Sequence, residues 1–111
     1  MLVALLSFNP DDESSVEQWV LAHSTDHDEI RQALLAQNIA NLPNYVLYPI
    51  NFREWDTFGQ KHQKTHDEVN SVLNLPGQDL STLDFENRQK FNEWHQQHFS
   101  EHLHMRDALG I

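Results

Sequence analysis

Six of the eight histidines in this 111-residue chain fall into three pairs, each pair separated by three residues: His23 and His27, His62 and His66, His98 and His102. Two histidines four apart share one face of an α-helix, so each pair can present two imidazoles in the same direction. Neutral imidazole ligates Zn²⁺, Ni²⁺ or Cu²⁺ through a ring nitrogen, so one pair could chelate an ion and three helices could supply a layer of three imidazoles. A plainer use is available. A neutral ring carries one donor and one acceptor, so histidines packed together in a core can satisfy one another, a hydroxyl or a carbonyl. On sequence alone that structural use is favoured, with no cofactor. Zn²⁺ or another divalent transition metal on the same six histidines is the alternative.

The pairs belong to a longer repeat. Val16-Glu17-Gln18-Trp19 through His23 and His27 to Leu34 overlays Phe91-Asn92-Glu93-Trp94 through His98 and His102 to Leu109 without a gap, and Phe58, His62, His66, Val69, Val72 and Leu73 fit the same frame. The shared pattern is an aromatic, a histidine four residues on, a second four further, then apolar residues at helical spacing. Trp19, Phe58 and Trp94 are therefore expected to be equivalent core residues, each packing on the ring one turn later. The histidines lie on the apolar stripe, with Glu17, Gln18, Asp28 and Glu29 on the wet side.

End signals place helices near 14–37, 51–74 and 84–109. Ser14 with Glu17 forms a capping box, Asn51 with Glu54 a weaker one, Asp84 caps the third helix, and Gly110 closes it. Leu75-Pro76-Gly77 should stop the second helix. Asn38–Ile50, with two prolines and the run Tyr45–Tyr48, is expected to cross in extended form. The fold class that follows is all-α: one domain over 1–111, a three-helix bundle read as up-down-up with helix two reversed, and an extended N-terminal arm. Reversal would bring His62 beside His27 and His102.

Composition narrows the function. Seventeen acidic and seven basic residues leave a formal charge of −10, a field that repels phosphate backbones and disfavours nucleic acid as a partner. The absence of cysteine excludes disulfides and thiolate metal sites. Met1–Phe8 is apolar but too short to span a bilayer, so no membrane role is expected. Leu2, Val3, Leu5, Leu6 and Phe8 are expected to dock on this domain or on a neighbouring subunit. No catalytic constellation appears. A zincin needs glutamate after its first histidine, whereas Ser24, Gln63 and Phe99 follow here. The bridging carboxylates and fourth helix of hemerythrin-like bundles are not visible either. The expectation is a protein that is not an enzyme.

The third copy, from Phe91 through Trp94, His98 and His102 to Ala108-Leu109-Gly110-Ile111, with Asp79-Leu80 and Leu83-Asp84-Phe85 before it, resembles small helical virion structural proteins of tailed bacteriophages. That resemblance implies a component of a capsid, neck or tail, assembled in the host cytoplasm, whose partners are other virion proteins or copies of itself. It carries over no ligand or catalytic residue.

Overall fold

The computed structural model describes residues 8–42, 55–80, 84 and 86–111, with side chains from residue 59 onward in the second helix. Among these residues the elements are three helices, α1 (Glu13–Ala36), α2 (Trp55–Val72) and α3 (Arg88–Leu109). The all-α expectation holds. Among the described residues no helix is long and apolar enough to cross a membrane.

Local chemistry sets the ends. Asp12, not Ser14, caps α1, its carboxylate accepting from the Ser14 amide. Asn87, not Asp84, caps α3 by accepting from the Lys90 amide, while Asp84 accepts from the amides of Glu86 and Asn87 and forms the turn ahead of it. An acceptor that reaches two residues on suits a turn as well as a cap, which is why the sequence placed both caps a few residues off. The three C-termini finish alike. Asn38, Asn74 and Gly110 take left-handed backbone, and the next residue in each case donates back to the last turn: Ile39 to Leu34, Leu75 to Asn70, Ile111 to Arg106. These are Schellman closures, with asparagine replacing glycine at two of them.

The expected reversal of α2 does not occur. His62 packs with His23 and His98, and Val69 packs with Ile30, Leu34, Met105 and Leu109, so the three helices run parallel. The reason lies in the connections. Residues 37–54 and 73–87 supply 18 and 15 residues between helices, enough at roughly 3.3 Å per residue to return along the bundle. Part of the second return is visible. Gln78 donates its amide to Glu101, Leu80 donates to the Gln63 side chain, and Trp94 Nε1 donates to the Leu80 carbonyl at 2.9 Å. Gly77 passes so close that a Cβ would lie 3.1 Å from Asn70 Nδ2. Most of the first connector, including Tyr45–Tyr48, lies outside the described residues, as does the N-terminal cap expected at Asn51.

Parallel helices with one repeat build layers. At the N-terminal end Phe8 stacks on Trp19 with ring centroids 4.3 Å apart and meets Phe91 edge-on at 5.2 Å. The arm thus folds back on its own domain at Phe8, while Leu2, Val3, Leu5 and Leu6 lie outside the described residues. At the C-terminal end Ile30, Leu34, Val69, Met105 and Leu109 form the apolar core, flanked by Val72, Leu73, Leu75 and Leu42. All six paired histidines sit buried between these ends.

Two measurements test the packing. Leu34→Ala should cost about 2–5 kcal/mol in a urea melt, because Leu34 is fully buried. Spin labels on the exposed positions Leu35 and Ser71, near the C-terminal ends of α1 and α2, should lie within roughly 20 Å, given about 8–10 Å between helix axes plus the label arms. A reversed α2 would part them by about 27 Å along the axis.

Candidate metal centre

Each helix contributes one turn to the centre. The first histidines, His23, His62 and His98, form one layer with ring centroids 4.7–5.0 Å apart, and the second histidines, His27, His66 and His102, form another at 4.6–5.0 Å. Between layers, each first-layer ring meets its own helix's second ring and that of one neighbour. His23 meets His27 and His102, His62 meets His66 and His27, and His98 meets His102 and His66. The rotational sense is the same throughout. Two triangles twisted in this way form a trigonal antiprism, which is an octahedron viewed down its threefold axis.

The nitrogens converge. One ligand atom from each of the six lies within 4.8 Å of all the others. Nε2 of His23 is 3.2 Å from His62, 3.0 Å from His98 and 3.0 Å from His27, while His62–His98 is 2.9 Å and His98–His102 is 3.1 Å. With metal–nitrogen bonds of about 2.1 Å, octahedral neighbours lie about 3.0 Å apart and opposite ligands about 4.2 Å, whereas tetrahedral ligands lie about 3.4 Å apart. The observed contacts match octahedral edges.

Mutual hydrogen bonding, the use favoured from sequence, does not account for this arrangement. An Nε2 is either a donor or an acceptor. In the triangle of His23, His62 and His98 all three nitrogens touch, so at least two must be of the same kind, and their contact is then repulsive. Two Nδ1 positions sharpen the point. His102 Nδ1 lies 2.6 Å from Asp26 Oδ2 and His66 Nδ1 lies 3.1 Å from Glu101 Oε1. An N–H donated to each carboxylate leaves a lone pair on the inward Nε2, and buried His66 Nε2 has no hydrogen-bond partner among the described residues. The expectation of no cofactor is therefore corrected: the cluster is a possible site for a cation, which fits the alternative of a divalent metal on the same six histidines.

A proton is a poor candidate for that cation. Burial holds His27, His62 and His98 well below the ordinary imidazole range, reinforced by their histidine neighbours. His66 is lowered to about 4, burial outweighing the opposing pull of Glu101. The carboxylates stay ionised. Burial alone would raise Asp26, but the bonds and charges of His102 and Arg106 hold it below its usual value, and His66, Asn70 and the Gln78 amide do the same for Glu101.

Asp26 and Glu101 are the residues that sequence reasoning missed. Both directly precede the second histidine of a pair, a place Thr65 fills in α2, and all three are buried. The repeat held the signal, but Asp26 and Glu101 read as ordinary helix acids until the tertiary partner is known. Four residues after the second histidine stand Arg31, Asn70 and Arg106. Arg106 donates to Asp26 at 2.6 Å and to Glu29 at 2.8 Å, and Asn70 donates to Glu101 at 2.8 Å. The cycle is incomplete at α2, where the Thr65 hydroxyl donates to the Lys61 carbonyl and Arg31 pairs with Asp28.

Above the first layer, Trp19 stacks on His23 and Trp94 on His98, at 4.5 and 4.8 Å and 10° between planes in both cases. The expectation of equivalent buried aromatics holds for Trp19 and Trp94, which are buried. The side chain of Phe58 lies outside the described residues.

The metal-free protein should lose stability with acid. His27, His62, His66 and His98 are depressed in the fold, so below the unfolded value of about 6.5 the unfolded chain binds more protons. Stability should be level above that pH and fall through pH 6 to about 4, the value for His66, each such histidine adding up to about 1.4 kcal/mol per pH unit. Urea melts in chelator at pH 8, 6 and 5 measure this, and equal midpoints would contradict buried neutral rings. Asp26→Asn, which removes the charge behind His102, should weaken metal binding about 10–100-fold in a competitive titration.

No protein family, curated protein or solved structure matches this chain, so its function has to be read from the geometry of the site.

Proposed function

We propose that this chain is a metal-binding helical domain that holds one divalent transition-metal ion with the Nε2 atoms of His23, His27, His62, His66, His98 and His102. The observation that carries this is the convergence of six buried imidazoles with ligand atoms within 4.8 Å of one another. Asp26 and Glu101 fit the reading twice over. They orient His102 and His66 in the manner of carboxylate–histidine–metal triads, and their two negative charges balance a 2+ ion inside the bundle, Arg106 being shared with Glu29.

Such an ion would act on the fold and not on a substrate. Catalytic metals keep an open position for water or substrate, and six protein ligands leave none. The metal is structural: it ties the middles of three parallel helices that the chain joins only through long connections. The virion-assembly role implied by the third helix is compatible with a metal-clamped acidic module, and the resemblance remains its sole support.

Metal stoichiometry and melting test the proposal. The purified protein, stripped and then titrated with Ni²⁺, should bind one ion per chain. At 1,000 times the dissociation constant the ion should add about 4 kcal/mol of stability, raising the melting temperature by about 15 °C or more. His98→Ala should lose most of that gain. Identical melting with Ni²⁺ and with chelator would refute the proposal.

A further inference from the structure

The same cage discriminates among ions by coordination number, an inference that rests on the metal-binding reading. We propose that the site selects divalent ions that favour six nitrogen ligands, of the Fe²⁺, Co²⁺ and Ni²⁺ class, and disfavours Zn²⁺.

The donor set narrows the field first. Six imidazoles with no oxygen ligand suit neither Ca²⁺ nor Mg²⁺, which take carboxylate, carbonyl and water oxygens. Thiolate-seeking ions find no thiolate, since the chain has no cysteine. Among ions that accept imidazole, Zn²⁺ is typically four-coordinate and tetrahedral. Seated here on four ligands, it would leave two imidazoles buried with their lone pairs unmet, and each stranded group would cost about tenfold in affinity or more. Cu²⁺ favours a tetragonal field, whereas three edges within the first layer and two between the layers all fall at 2.9–3.2 Å.

Selectivity of this kind requires that the cage resist collapse onto four ligands, and the surrounding contacts supply that resistance. Each histidine is joined to its pair partner by a single helical turn, so one cannot withdraw far without the other. Trp19 and Trp94 press flat on His23 and His98. Asp26 and Glu101 hold His102 and His66 from behind, and those carboxylates are themselves fastened by Arg106, Asn70 and the Gln78 amide. Four of the six rings are therefore fixed from outside the cage, and the antiprism is set before an ion arrives.

Two readings on the intact, metal-stripped protein test this. Loaded with Co²⁺, it should show the weak visible bands of a six-coordinate ion, and intense tetrahedral bands would overturn the proposal. Loaded with one equivalent of Ni²⁺ and challenged with one equivalent of Zn²⁺, it should surrender only about a tenth of its nickel, as a preference of about 100-fold requires when two stranded imidazoles each cost tenfold. Loss of half the nickel or more would overturn it. The double variant His27→Ala/His66→Ala, reduced to four imidazoles, should shift its preference toward Zn²⁺ by at least tenfold, and an unchanged ratio would mean that coordination number is not the selector. Failure of Co²⁺, Ni²⁺ and Zn²⁺ alike to bind the intact protein would overturn the metal reading itself, and this inference with it.

Discussion

Six imidazole nitrogens brought to one point inside a protein cannot all satisfy one another by hydrogen bonds, and most of this structure is arranged around that constraint. Water is kept away by an aromatic layer at one end and an aliphatic layer at the other. The ring tautomers are imposed where a carboxylate receives Nδ1–H, at His66 and His102. Buried carboxylates are costly unless paired. Here each has a histidine on one side and a guanidinium, amide or backbone donor on the other, so the polar shell is satisfied outward while the nitrogens remain directed inward.

The chain path follows from the same constraint. A repeat of aromatic, histidine, histidine and aliphatic residues makes matched layers only when all copies point the same way. With one helix reversed, its aromatic would fall among the aliphatics of the other two, and its Val69 equivalent among tryptophans. Parallel packing needs long return segments, and their ordering entropy opposes folding. Their attachments are therefore informative. Leu80 and Gln78, in the second return, are bonded to Gln63, Trp94 and Glu101, so this segment both closes the topology and braces one of the two buried carboxylates.

The threefold pattern is kept where symmetry is useful and broken where it is not. The six paired histidines and the apolar positions below them follow the repeat closely. The carboxylate place does not, being Asp26, Thr65 and Glu101, nor does the bracing place, being Arg31, Asn70 and Arg106. With the proposed divalent ion bound, two carboxylates would match its charge, and a third would leave an uncompensated negative charge in a buried site. Arg31, without a buried acid to serve, turns to Asp28 on its own helix.

Much of this was legible from the residues alone. Helical periodicity put Trp19, His23, His27, Ile30 and Leu34 on one face, and the same spacing in two further copies identified six histidines as one set, because side-chain direction on a helix depends only on spacing. The stop after α2 and the left-handed Gly110 were also local matters. What sequence could not decide was direction and convergence. Helix polarity depends on where the connections run, and two proline-containing segments do not disclose whether they turn or return. Whether histidines satisfy one another or await an ion depends on distances between helices. Only the tertiary structure showed three Nε2 atoms in mutual contact, an arrangement that hydrogen bonds cannot satisfy, with Asp26 and Glu101 behind them. Spacing determined which side chains share a face; the meeting of three faces decided which nitrogens stand together.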